Sequence, residues 1–300
     1  VESIYEIPQI LHRQGLDKIL SKLLNLKTKE PDFAEWNLFL QRMKSPFKIC
    51  EVAVCGHDIL HRNSYRSLTE ALNHAAVANN IKVKVHWIDT CAITNSDQIK
   101  SLLYNSCGII MVGEKAGSNI DGEINIVAYA RTHQKPFIGI NLGCHALLVE
   151  FARHVCGLKK ADTQELNEGT AVPIIHLIAN TRGTNKGVST SGMRLGSVSL
   201  MIQEKSLAAQ IYKRREVVER FRDLYGFNPK YLKTIIKYGL IASGTTLHRK
   251  RYDFFELKGH PFFIGFGFHP EFKSNPLSPH PIFYHFLKKA IKYSESFQAR

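Results

Sequence analysis

Lys135-Pro-Phe-Ile-Gly-Ile-Asn-Leu-Gly-Cys-His-Ala-Leu-Leu-Val-Glu150 is the stretch that decides the fold. A short apolar run reads as a buried strand, Gly139 and Gly143 bracket a tight turn, and His145 to Val155 continues as a helix. Such a strand–turn–helix elbow projects one side chain at the tip of an α/β sheet, the usual position of a nucleophile. Here the tip residue is Asn141. A carboxamide nitrogen has its lone pair delocalised and no accessible anionic form, so it cannot act as a thiolate does. Far downstream, Phe268-His-Pro-Glu-Phe272 places a histidine and a carboxylate two residues apart, the base and orienter of a triad without its nucleophile.

Outward from the elbow, strands and helices alternate. Ile49–Cys55, Lys82–Asp89 and Gly108–Gly113 read as strands, and Ser64–Ala78 and Ile124–Thr132 as helices. This alternation argues for a doubly wound α/β sheet. Leu240–Gly244, Tyr252–Leu257 and Phe262–Phe268 are strand-like with short turns, and a closing helix spans Phe283–Tyr293. Leu177–Ser191 is rich in Gly, Thr and Asn and reads as a loop. Residues 1–45 differ from the rest: Ile10–Leu24 and Phe33–Met43 read as two short helices around a polar linker, too little to bury a core of their own. We therefore divide the chain into residues 1–45 and 46–296.

Composition narrows the function class. With 44% apolar and 22% charged residues, the 300-residue chain is an ordinary globular one. No apolar run reaches bilayer length, and the first residues carry no signal-peptide pattern. The absence of a starting Met suggests a piece of a longer product. Six cysteines form no CxxC pair or zinc spacing, which points to reduced, buried thiols and no metal site. The net charge of +14 is scattered in short clusters without a nucleic-acid motif, so we read it as a solvated basic surface, not a nucleic-acid site.

Several short motifs in fixed order carry a resemblance over nearly the whole chain. They include Trp87-Ile-Asp89, Pro136-Phe-Ile-Gly139, Glu150-Phe-Ala-Arg153, Met193-Arg-Leu-Gly196 and Phe268-His-Pro-Glu-Phe-Lys-Ser274, with Ser3-Ile-Tyr-Glu-Ile-Pro8 near the start. The chain resembles the C-terminal glutaminase domain of CTP synthase, a class I glutamine amidotransferase. The resemblance implies a flavodoxin-like α/β fold with a mixed central sheet flanked by helices. Residues 1–45 would then be the end of a synthetase domain plus the interdomain linker. It also implies a Cys–His–Glu triad that hydrolyses glutamine and sends ammonia to a synthetase domain, where ATP-activated UTP becomes CTP. On that pattern His269 and Glu271 fall on the histidine and glutamate. Glu165 falls on the glutamate holding the substrate's α-amino group, and Gly113 and Leu142 line the substrate. ATP and Mg belong to the synthetase domain, so no cofactor is expected in this chain. Expected partners are that domain or CTP synthase-like subunits, in a cytoplasmic homo- or hetero-oligomer with no membrane contact.

The resemblance breaks in one pocket. Its Gly-Ile-Cys-Leu-Gly-Met-Gln is Gly139-Ile-Asn-Leu-Gly-Cys-His145 here, so Asn141 replaces the nucleophile and His145 the glutamine. A glycine-rich oxyanion loop reads Val112-Gly-Glu-Lys-Ala116, with Glu114 where a second glycine belongs. Arg-His-Arg-His-Arg-Tyr reads Arg220-Phe-Arg-Asp-Leu-Tyr225, with Leu224 where an arginine would hold the substrate carboxylate. The sequence thus points to a glutaminase-dead homologue with a structural, regulatory or assembly role, His269 and Glu271 being vestigial. The alternatives are a working glutamine-hydrolysing CTP synthase fragment, an amidase with another nucleophile, and a basic binding module.

Overall fold

The computed structural model describes residues 1–57, 59, 61–93, 95–113, 120–178, 193–246 and 251–298. Twelve strands and ten α-helices are defined among them. The first half holds β1 (Lys48–Gly56), β2 (Ile81–Asp89), β3 (Gly108–Met111), β4 (Phe137–Ile140), β5 (Ala161–Thr163) and β6 (Val172–Leu177). The second holds β7 (Arg194–Ile202), β8 (Glu216–Asp223), β9 (Tyr225–Phe227), β10 (Leu240–Thr246), β11 (Tyr252–Leu257) and β12 (Phe263–Phe266). The helices are α1 (Ile7–Arg13), α2 (Leu16–Leu23), α3 (Ala34–Lys44), α4 (Arg66–Ala78), α5 (Ser96–Leu103), α6 (Asp121–Thr132), α7 (Leu142–His154), α8 (Leu207–Tyr212), α9 (Leu232–Lys237) and α10 (Pro281–Gln298).

Nine strands form one sheet in the order β2-β1-β3-β4-β12-β11-β10-β7-β8, and β5-β6-β9 form a small second sheet. From β2 to β12 neighbours run parallel; from β12 to β8 they run antiparallel. The mixed sheet flanked by helices is thus the architecture expected from the sequence. Along β1, Val52 and Val54 feed the core layer under α4 and α10, while Ala53 and Cys55 feed the opposite layer under α6 and α7. A strand covered on both faces needs an unbroken apolar run, which is why β1, β3 and β4 were readable.

Two glycines bring helix and sheet together. A Cβ on Gly143 would lie 2.1 Å from the Met111 carbonyl oxygen, and one on Gly139 would lie 2.5 Å from the Gly143 oxygen. Only glycine lets the first turn of α7 sit this close to β3 and β4. Consequently α7 begins at Leu142, three residues before the helix read from the sequence. Of the six cysteines, five are buried as expected, whereas Cys91 is exposed.

Residues 1–45 lean on α4. Phe39 and Leu40 cluster with Val77, joined by Tyr5, Trp36 and Met43. The Tyr5 hydroxyl donates to Glu70 at 2.6 Å and lies 2.7 Å from His74 Nε2.

His260, in the turn between β11 and β12, illustrates how burial sets the pH limits of the fold. Its Nδ1 accepts from the Phe262 N–H at 3.2 Å, and Nε2 lies 3.3 Å from the Ala130 carbonyl, so the proton sits on Nε2. Burial pushes its pKa down from 6.5 to about 4, against the partial support of its backbone hydrogen bonds. The folded state therefore disfavours the charged ring. The contribution to stability is complete above 6.5 and is lost as pH falls through that window toward 4. In urea denaturation at about pH 4 and about pH 7, wild type is expected to lose about 3 kcal/mol more on acidification than His260→Gln. Equal losses would contradict this.

Candidate functional site

The register of two neighbouring strands explains how residues far apart in sequence meet. β4 and β12 pair in parallel, Gly139 against Gly265 and Ile140 against Phe266. Both end at the same edge of the sheet, the edge where open α/β sheets place their sites. One residue past β4 is Asn141; three past β12 is His269.

Asn141 has φ 50° and ψ −105°, a conformation that costs on the order of 1–3 kcal/mol for a residue with a side chain. It is held from both sides: its N–H donates to the Phe266 carbonyl at 2.8 Å, and its own carbonyl accepts from Cys144 and His145 N–H at 2.9 and 3.1 Å. The elbow geometry is therefore present at this position.

The side chain of Asn141 is fixed as well. Its Nδ2 donates to the Arg222 carbonyl at 3.1 Å and lies 3.1 Å from His269 Nε2. A backbone carbonyl can only accept, so it is the amide NH2 that faces His269. His269 Nε2 must then be the acceptor, and the ring proton sits on Nδ1, which donates to Glu271 Oε1 at 2.9 Å. The lone pair a base would use is engaged by a group that cannot release a nucleophile. The second oxygen of Glu271 is buried with no hydrogen-bond partner among the described residues.

A cavity of about 120 Å³ opens beside the tip, lined by Asn141, His145, Glu165, Met193, Arg222, Asp223, Leu224, Tyr225 and His269. Glu165, in the turn after β5, faces His145 with its Oε2 3.6 Å from Nδ1. Leu142 and Gly113 lie side by side: a Cβ on Gly113 would sit 2.6 Å from the Leu142 side chain. Glu114 and its neighbours to residue 119 lie outside the described residues, as does most of the Leu177–Ser191 loop. Cys144 faces away from the tip: it is 2% exposed, packed toward Gly265, and burial raises its thiol pKa far above the usual value. It cannot stand in for the nucleophile.

Sequence reading missed the wall behind the cavity. Arg194 Nε and Nη2 both bond Asp223, the former at 2.8 Å, while Nη1 and Nη2 reach Asp253 at 3.0 and 2.7 Å. Its guanidinium stacks 3.8 Å from the Phe221 ring centroid. Burial raises the Asp223 carboxyl pKa, and the guanidinium offsets that only in part. In the sequence Arg194 stands out only within Met193-Arg-Leu-Gly196, and one charged letter does not reveal its burial. Among the described residues no group of three or more His, Cys, Asp or Glu is disposed to hold a metal ion. No helix described is long and apolar enough to cross a membrane.

Comparison with known proteins agrees with this architecture. The glutamine amidotransferase class-I profile matches residues 60–289. A CTP synthase of Syntrophus aciditrophicus is 38% identical over 293 residues, 98% of this chain and 54% of that protein. One of Sulfolobus acidocaldarius is 38% identical over 291 residues, 97% of this chain and 54% of that protein. The chain thus spans about half the length of the curated relatives it matches. The glutaminase domain of Trypanosoma brucei CTPS, solved with bound acivicin, superposes with a TM-score of 0.73 at 27% identity, covering 81% of this chain and 94% of that one. With the sheet order, the elbow and these matches in hand, the chain belongs to the class-I glutamine amidotransferase family, as a homologue of the CTP synthase glutaminase domain.

Proposed function

We propose that this domain no longer hydrolyses glutamine and serves a CTP synthase-like assembly as a structural or regulatory part. The observation that carries the proposal is the Asn141 amide, locked between the Arg222 carbonyl and His269 Nε2 at 3.1 Å each. Amide hydrolysis on this fold needs an attacking group that becomes an anion or loses a proton to the histidine. The Asn141 nitrogen does neither. His269 and Glu271 then persist as a hydrogen-bonded pair that holds the turn after β12. Gly113, Leu142 and Glu165 are the remains of a substrate site, and Leu224 leaves a substrate carboxylate without a charged partner.

On this reading residues 1–45 are the end of a synthetase domain and its linker. The partner is that domain or CTP synthase-like subunits in a cytoplasmic homo- or hetero-oligomer, with ATP and magnesium held by the synthetase part. Purified protein given glutamine is expected to release no ammonia above the enzyme-free rate, since loss of a triad nucleophile costs about 10⁶-fold in turnover. Steady ammonia release that depends on protein concentration would overturn the reading.

A further inference from the structure

One wall of the cavity sets a buried histidine against Glu165, a remnant of the substrate site proposed above. His145, on the first turn of α7, is 5% exposed, and its Nδ1 has no hydrogen-bond partner among the described residues. That atom faces Glu165 Oε2 at 3.6 Å, inside ion-pair range but short of a hydrogen bond. Asp223 is within electrostatic reach of the same imidazole. Asp223 is already bonded by Arg194, which it shares with Asp253, so Glu165 is the cavity carboxylate that faces His145.

We propose that His145 is a built-in stopper: its imidazole takes the place beside Glu165 that the ammonium group of a small primary amine would otherwise occupy, and so closes the cavity to free amino acids. A tethered side chain competes at a high effective concentration, and a ligand must displace it before it can reach the carboxylate. Helix α7 is buried from Leu142 to Ala152, which leaves the displaced ring no polar refuge on its own helix. The inference deepens the function proposed above and rests on it. A domain that has lost hydrolysis has also become indifferent to free glutamine.

The test is isothermal titration with 4-aminobutanamide, which is glutamine without its carboxylate, so that the outcome does not depend on Leu224. Wild type, His145→Ala and His145→Ala/Glu165→Gln are compared, with His145→Gln as a second variant should the alanine form fail to fold. Removing the imidazole is expected to tighten binding at least about ten-fold, and removing Glu165 as well is expected to cancel the gain. Equal affinity in wild type and variant, or a gain that survives loss of Glu165, overturns the stopper. Ammonia release from glutamine by wild type would instead overturn the function, so the two failures are distinguishable.

Discussion

Asn141→Cys is expected to produce a reactive thiol without producing a glutaminase. The elbow conformation, the Phe266 anchor and the His269–Glu271 pair at 2.9 Å are all in place around residue 141. A cysteine there would stand within reach of His269 Nε2, and a histidine-paired thiol loses its proton well below the ordinary pKa of about 8.5. Iodoacetamide should therefore label residue 141 about ten-fold faster than an unperturbed surface cysteine near neutral pH. Hydrolysis still needs bound glutamine. On the reading proposed above, Leu224 offers no charged hydrogen bond to a carboxylate, a loss of about 3 kcal/mol, or about 100-fold. His145 adds its own block. Ammonia release is expected only when Asn141→Cys is combined with His145→Gln, Leu224→Arg and Glu114→Gly. Efficient hydrolysis by the single substitution would mean that the rest of the pocket is intact.

The second large effect concerns stability. Arg194→Leu would leave Asp223 and Asp253 facing one another in the interior, where each is nine-tenths buried or more. Removing one partner of a buried ion cluster typically costs about 3–5 kcal/mol, a large share of the roughly 5–15 kcal/mol by which domains are stable. Chemical denaturation followed by circular dichroism should show that loss, and Arg194→Leu combined with Asp223→Asn and Asp253→Asn should recover part of it. A loss below about 1 kcal/mol would show that the aspartates are solvated or neutral. Because Asp223 forms part of the cavity wall, the same change is expected to loosen the site.

Particular residues show why some of this was legible and some was not. The elbow could be read because β4 is apolar throughout and because Gly139 and Gly143 mark the close approach of α7. Its tip residue then followed by counting. The base and orienter were legible as a local pair, two residues apart. The antiparallel β7–β8 pair was not. In β8, alternate residues face inward, but two of the inward positions are Glu219 and Asp223, both buried. Glu219 Oε1 is bonded by Tyr212 and His280, and Asp223 by Arg194, all of which come from elsewhere in the chain. Inward-facing charges erase the period-two apolar pattern on which strand reading depends.

The same reason hid the cavity wall. The Asn141–Arg222 contact is made to a backbone carbonyl, which has no sequence signature, and His145 meets Glu165 only through the path of β5. Contacts made within one element or across a glycine-marked turn were readable. Contacts that close between elements through polar groups were not.

The most direct measurement is covalent trapping. Incubation with acivicin, the ligand of the solved Trypanosoma brucei domain, would be followed by intact-mass and peptide-level mass spectrometry. With an amide at the elbow tip, residues 139–145 and 269–271 should carry no added mass, and any adduct should map to the exposed Cys91. An adduct on a residue lining the cavity would contradict the loss of the nucleophile.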